Sequence, residues 1–256
     1  MENYYKNLNK NFLIDNSFDI DIPINIDWKN IGINLSGGAD SALLTWILCK
    51  LIEKHDLRTK IKIITFNRNY KLKPWQDFYS LQVYNYFKNK FPNIILDRIT
   101  TFIPPELEHR EVAELVNGKS GDQIIVNSFN KYLIYTHQID AVFNATTKNP
   151  PIEGGMPGRY VKELNYEDLV NKDFTEFDPF KGITKDLIVL QYKNNNLQEL
   201  FELTRSCEVT IDKLGLSSYT EGTSIPICGE CWWCKERNWA ISVAGQMEKG
   251  YDYESR

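Results

Sequence analysis

The sequence is short of cysteine and histidine, the residues on which many catalytic and metal sites depend. Its 256 residues include five cysteines and three histidines, and no histidine stands in a recognisable catalytic pattern. The cysteine count is odd, and four of the five follow residue 206. This distribution argues against a disulfide framework spread along the chain and indicates one local cysteine site.

A basic excess and a long apolar run are also missing. Lysine and arginine number 30 against 34 aspartates and glutamates, a formal net charge of −4, which disfavours nucleic acid as a partner. A membrane helix needs about 18 consecutive apolar residues, and no stretch is that long. The N-terminus shows no apolar signal segment. We therefore expect a cytoplasmic protein without a membrane partner.

From residue 31 onward, short β-branched runs alternate with stretches of helical apolar periodicity. The pattern predicts strands at 31–35, 61–66, 94–99 and 141–143, with a further short strand around 20–26. It predicts helices at 39–55, 75–87, 122–138, 160–171, 184–194 and 232–246, and a Gly- and Pro-rich loop at 146–158. Such alternation is typical of an α/β fold, a parallel Rossmann-like sheet with helices on both faces.

A glycine-rich hexapeptide, Ser-Gly-Gly-Ala-Asp-Ser at residues 36–41, joins the first predicted strand to the first predicted helix. Gly37 and Gly38 let ligand oxygens approach the backbone, and free N–H groups at a helix start attract anions. Ser36 and Ser41 can donate hydrogen bonds to phosphate, and Asp40 can cap the helix or hold Mg²⁺. The segment predicts a phosphate-binding loop, although it lacks the lysine of a GxxxxGK[ST] loop.

The late cysteines form the motif Cys228-Gly-Glu-Cys231-Trp-Trp-Cys234, with Cys207 upstream. Four thiolates are a typical structural zinc site, so we predict that these four cysteines bind Zn²⁺. An iron–sulfur cluster is the competing interpretation, because CxxCxxC spacing also occurs there, but the nearby Cys-Pro of the common ferredoxin run is missing. Cys49, inside the first predicted helix, is predicted to be a core residue.

The two sites together carry a resemblance. The hexapeptide resembles the SGGxDS signature of the PP-loop ATP pyrophosphatases, and with the cysteines the chain resembles the 7-cyano-7-deazaguanine (preQ0) synthase family of that superfamily. Segments 177–188, 201–207 and 231–237 are similar to family segments in matching order, so the likeness spans about residues 31–245. The chain departs from the family at 67–70, at 125–130, where only Asn130 matches, and at Arg205, where the family has Trp.

The resemblance implies an adenine-nucleotide alpha-hydrolase-like domain at 31–200, preceded by an extension at 1–30 and followed by a zinc-binding helical region at 201–256. It also implies an ATP-dependent C–N ligase of queuosine biosynthesis. ATP, with Mg²⁺, would adenylate the carboxylate of 7-carboxy-7-deazaguanine. Ammonia would then give the amide, and a second activation would give the nitrile, in an enzyme that is commonly a homodimer.

The resemblance also assigns site residues. The ATP site would comprise Leu35, Ser36, Gly37, Gly38, Ala39, Asp40, Ser41, Phe66 and Asn67, the last two beside the adenine. The catalytic residues would be Ser36, Asp40, Ser41 and Lys185, with Lys185 as the cation for pyrophosphate or carboxylate. The substrate would contact Asn130, Asn144 and Arg159.

Other interpretations remain open at this point. The chain could be another PP-loop enzyme that amidates, conjugates or thiolates a different substrate, such as tRNA or a protein, or a non-catalytic nucleotide-binding scaffold. Thiolation needs a reactive cysteine outside the zinc set, and only Cys49 is left over.

Overall fold

A computed structural model describes residues 20, 22–67, 75–103, 121–151, 175–209, 211–216, 218–220 and 222–247. Within these ranges one sheet contains the strands β1 (Asn30–Asn34), β2 (Lys60–Asn67), β3 (Ile99–Phe102), β4 (Ala141–Phe143) and β5 (Glu176–Phe177). The helices are α1 (Ala39–Lys54), α2 (Gln76–Lys90), α3 (Gly121–Tyr135), α4 (Lys185–Asn194), α5 (Gln198–Glu202) and α6 (Trp232–Met247), with a 3₁₀ turn at Asp212–Leu214.

All described strand pairs are parallel, and the strand order is β3-β2-β1-β4-β5. At the centre of the sheet, Ile33 of β1 stands in register with Ile63 of β2 and Phe143 of β4. The chain moves outward from β1 to β3 and then returns to the other side of β1. This reversal between β1 and β4 is a topological switch point, where open α/β sheets bind ligands beyond the carboxyl ends of their strands.

Both faces of the sheet are covered by helices, as the sequence predicts. On one face, Ile33 and Ile63 belong to a core that includes Leu44 of α1 and Ile188 of α4. On the other face, neighbouring strand residues such as Ile64, Phe66 and Val142 pack with Leu133 of α3. The two cores follow from strand geometry, because successive side chains point to opposite faces.

The predicted helices lying in the described ranges all form, with ends within three residues of the expected ones. None of them combines the length and apolar character that a membrane crossing requires. The predicted helix at 160–171 and the loop residues 152–158 lie outside the described residues. The loop residues 146–151 have no regular structure, as expected. The division of the chain at residues 30 and 200 stays a prediction.

Two predicted strands are wrong. The described residues between 20 and 26 form no strand, although Ile20, Ile22 and Ile24 are buried in the core. Alternating burial indicates an extended chain there, but its backbone does not pair with the sheet. Of the strand expected at 94–99, only Ile99 lies in the β3 ladder, and Ile95 makes an isolated bridge with Ile61.

We predict that Phe143→Ala lowers the free energy of unfolding by about 3–5 kcal/mol, the usual cost of emptying a buried aromatic site. Phe143 is 0% exposed, and its ring centroid lies 5.3 Å from that of Phe177. Urea denaturation measures the loss. The control is Tyr135→Ala, at a side chain 85% exposed, where we expect a change within about 0.5 kcal/mol. Equal losses in the two variants would contradict this packing.

Candidate functional site

The predicted phosphate loop forms at the carboxyl end of β1. The Leu35 N–H still donates to Ile64 O at 2.8 Å, and the chain then turns at Gly37, whose φ is +77°. The hydroxyl oxygens of Ser36 and Ser41 lie 3.3 Å apart, and the Gly38 N–H donates to Ser36 Oγ at 3.3 Å. The structure therefore brings both predicted hydroxyl donors to the N-terminus of α1, with Ala39 as the first helical residue.

Gly37 is required at its position for two reasons. Its positive φ is one that residues with a Cβ rarely adopt. In addition, a Cβ on Gly37 would lie 2.7 Å from the backbone nitrogen of Ser80 and 2.9 Å from the carbonyl carbon of Tyr79. The loop thus packs directly on the backbone of α2.

Behind the loop, Lys185 is shared by two carboxylates. Its ammonium group forms an ion pair with Asp40 of α1 and lies 3.8 Å from a carboxylate oxygen of Glu236 in α6. The side chains of Lys185 and Glu236 are only 6% and 4% exposed. Buried charges require partners of opposite sign, and this arrangement supplies them. One oxygen of Asp40, Oδ1, is nevertheless buried with no hydrogen-bond partner.

The four predicted metal ligands come together. The Sγ atoms of Cys207, Cys228, Cys231 and Cys234 all lie within 4.8 Å of one another. The backbone N–H groups of Cys231 and Cys234 donate to the sulfurs of Cys228 and Cys231 at 3.3 and 3.4 Å. Although burial acts to raise it, backbone hydrogen bonds from Cys231 and Glu230 lower the pKa of the Cys228 thiol to about 7. At Cys228 these donors favour the thiolate, the form that binds metal, whereas burial raises the pKa of the Cys207 and Cys234 thiols.

A pocket of about 140 Å³ lies between the phosphate loop and the cysteine cluster. Its lining combines residues of the phosphate loop, the cations Lys185 and Arg205, the segment that leads into Cys207, and aromatic side chains. The lining residues are Ser36, Gly38, Asp40, Trp75, Gln76, Tyr79, Lys185, Arg205, Ser206, Cys207, Glu208 and Trp233.

Asn144, a predicted substrate residue, lies at the switch point rather than in this pocket. It follows β4, accepts a hydrogen bond from Asn34 Nδ2 at 2.6 Å and donates to Glu176 Oε1 at 2.9 Å. These side-chain hydrogen bonds join the carboxyl ends of β1 and β4 to the edge strand β5.

The other predicted contacts lie at the end of β2, on α3 or outside the described residues. Phe66 packs edge-to-face on Phe129 with ring centroids 5.8 Å apart. Asn67 and Asn130 are buried, and Asn67 Oδ1 and both amide atoms of Asn130 have no hydrogen-bond partner. None of the three predicted residues lines the pocket. Arg159 lies outside the described residues.

Sequence reasoning missed Arg205 and Glu236 as site residues. Each lies two residues from a predicted metal ligand, Cys207 and Cys234 respectively, and each contacts the phosphate loop or its lysine. Their closeness to the cysteine motif was the available signal. The aromatic residues Trp75 and Tyr79 carried no such signal, because only the tertiary fold places α2 against the cysteines.

Comparisons with known proteins give little beyond this geometry. No protein-family model matches the chain, and no curated protein matches it. Among solved structures, the chain is similar to the U34-tRNA thiolase NcsA from Methanococcus maripaludis with its [4Fe-4S] cluster. That match has 12% identity and a TM-score of 0.45, and it covers 89% of this chain and 75% of the thiolase.

We predict that Gly37→Ala lowers the free energy of unfolding by about 2–3 kcal/mol, through backbone strain and overpacking against α2. Gly38→Ala is the matched control. Gly38 has a φ of −84°, and a Cβ there would meet only Ser36 Oγ closely, at 3.3 Å. We expect a loss below about 1 kcal/mol for this control. Denaturant titration compares the two, and equal stability would contradict the close approach at Gly37.

Proposed function

We propose that the chain is a PP-loop ATP-dependent ligase that acts on 7-carboxy-7-deazaguanine or a related small acid and uses ammonia to form the amide and then the nitrile. The observation that carries the proposal is the phosphate loop at the end of β1, beside the switch point, where Ser36 and the Asp40–Lys185 ion pair line one pocket. The family resemblance of the sequence supplies the identity of the acid.

The loop has the features that a triphosphate needs. Ser36 and Ser41 can donate hydroxyl hydrogen bonds to its oxygens, and the N-terminus of α1 contributes partial positive charge. Donors fixed before the reaction stabilise charge as it develops on the departing pyrophosphate. The buried, unpartnered Oδ1 of Asp40 is a fitting ligand for the Mg²⁺ that accompanies ATP, since hard cations prefer carboxylate oxygens.

The proposed reaction has two activations. A carboxylate oxygen attacks the α-phosphorus of ATP and breaks its bond to the bridging oxygen, releasing pyrophosphate and leaving an acyl adenylate. Ammonia adds to the acyl carbon, expels AMP and loses a proton to give the amide. The amide oxygen then attacks a second ATP in the same way and departs with AMP, while the nitrogen loses its two protons and the nitrile forms. The protein contributes chiefly position and electrostatic stabilisation.

We further propose that the cysteine cluster binds one zinc ion. Four sulfurs at about 2.3 Å from a tetrahedral zinc are about 3.8 Å apart, and the Sγ atoms of Cys228 and Cys234 are 3.7 Å apart. A [4Fe-4S] cluster places an iron atom behind each thiolate, which spreads the sulfurs to about 6 Å. The upper limit of 4.8 Å among all four sulfurs supports a single ion.

The state of Cys49 disfavours thiolation by a cysteine outside the cluster. Cys49 is 0% exposed in the middle of α1, and burial raises the pKa of its thiol far above the ordinary value. A reactive cysteine needs a thiolate that substrate can reach. Cys49 is therefore a poor candidate for a sulfur carrier.

The ligase proposal predicts that the protein, ATP, Mg²⁺, ammonia and 7-carboxy-7-deazaguanine together yield AMP, pyrophosphate and the nitrile, measured by liquid chromatography. Ser36→Ala should lower kcat about 10²-fold, the typical effect of removing one fixed donor to developing charge. Ser128→Ala, at an exposed position of α3, should retain the wild-type rate. The ligase proposal fails if the wild-type protein releases no AMP with this acid, and sulfur transfer to tRNA would replace it.

The zinc proposal predicts one zinc per chain by elemental analysis and no visible absorption band. Cys231→Ser should lose the metal because it removes a thiolate from the set, whereas Cys49→Ala should keep it. Iron in stoichiometric amount, together with a visible absorption band, would contradict the assignment.

A further inference from the structure

Two cations line the pocket, and they differ in how they are neutralised. Lys185 has Asp40 and Glu236 as ion-pair partners, so its charge is more than balanced within the protein. Arg205 has no carboxylate within ion-pair distance among the described residues. Its positive charge is therefore available to an anionic ligand in the pocket.

Arg205 is held in place without the use of its charge. Its backbone N–H donates to the Gly37 carbonyl at 2.8 Å, which fixes its Cα to the phosphate loop. Its guanidinium lies over the ring of Tyr79, with Cζ 4.9 Å from the ring centroid. Tyr79 is itself anchored, since its hydroxyl accepts the Ile225 N–H at 3.0 Å. A guanidinium stacked on an aromatic ring keeps its N–H groups free for planar, two-point recognition of an anion.

One donor of Arg205 is left without an acceptor. Its Nε is buried and has no hydrogen-bond partner. A buried donor without a partner costs free energy, which a ligand oxygen would recover. The neighbouring Arg237 is not among the residues that line the pocket, and two of its N–H groups donate to Phe201 O at 2.9 Å and Thr204 Oγ1 at 2.8 Å.

We propose that Arg205 is a ligand-binding residue that holds phosphate oxygens of the nucleotide, specifically those of the departing pyrophosphate. The anion would lie between the Arg205 guanidinium and the loop donors of Ser36 and Gly38, since all three residues line the same pocket. The proposal rests on the proposed function only for the natural source of the anion. Pyrophosphate alone is therefore a sufficient probe.

Isothermal titration of the full chain with Mg²⁺-pyrophosphate tests the proposal. Arg205→Gln removes the charge and should weaken binding at least about 10-fold, as expected for charge-assisted hydrogen bonds. Arg205→Lys keeps the charge but loses the two-point geometry, so it should fall between Gln and wild type. Arg58→Gln makes the same charge change at an exposed position and should bind as wild type does.

The outcomes separate this proposal from the proposed function. Wild-type affinity in Arg205→Gln, or no pyrophosphate binding by the wild-type protein, would overturn the assignment. A second titration with 7-carboxy-7-deazaguanine identifies the oxygen concerned, because weaker binding of the acid with unchanged pyrophosphate binding would overturn it in favour of a carboxylate contact. If Arg205→Gln unfolds at a lower temperature than the wild-type protein, the pyrophosphate affinity of Arg205→Lys is compared with wild type instead. The wild-type protein could also bind pyrophosphate but make no nitrile. If Arg205→Gln then loses the pyrophosphate binding, the assignment of Arg205 is supported while the ligase proposal fails.

Discussion

One backbone hydrogen bond, from the N–H of Arg205 to the carbonyl of Gly37, joins the two halves of the site. Its acceptor lies in the phosphate loop and its donor lies two residues before Cys207, a residue of the cysteine cluster. The bond is available because Gly37 has a positive φ and no Cβ, which lets the loop lie against the backbone of α2. This contact holds the segment that leads into Cys207 against the loop, and both line the pocket.

The charges of the pocket follow from the same arrangement. Lys185 comes from α4, Asp40 from α1 and Glu236 from α6, so the ion pairs connect three helices beneath the loop. Lys185 and Glu236 are the most buried of the three, with side chains 6% and 4% exposed, so their charges depend on protein partners more than on water. Arg205 is stacked on Tyr79 instead of paired. The pocket thus separates a cation that organises the protein from a cation that faces ligand.

Local sequence was enough to predict the parts of the structure that local physics determines. The hexapeptide at 36–41 predicted a loop and a helix start because glycine freedom, hydroxyl donors and apolar periodicity act over a few residues. The α/β architecture followed from the alternation of patterns. The strand expected at 94–99 was wrong because the buried Ile94 and Ile95 give the sequence the apolar pattern of a strand. Pairing depends instead on the partner strand, and β2 pairs with β3 only from Ile64 onward. The two-residue β5 is too short to leave a pattern.

The missed residues depend on tertiary contacts. Nothing near Glu236 in the sequence indicates that it would lie 3.8 Å from Lys185, and Tyr79 is 126 residues away from the arginine that it supports. The cysteine cluster nonetheless gives these contacts a physical origin. Arg205 and Glu236 each follow or precede a cluster cysteine by two residues, so gathering four sulfurs within 4.8 Å also places a guanidinium and a carboxylate beside the phosphate loop. The four cysteines thereby help to set the shape of the pocket beside the phosphate loop, whose lining includes Cys207.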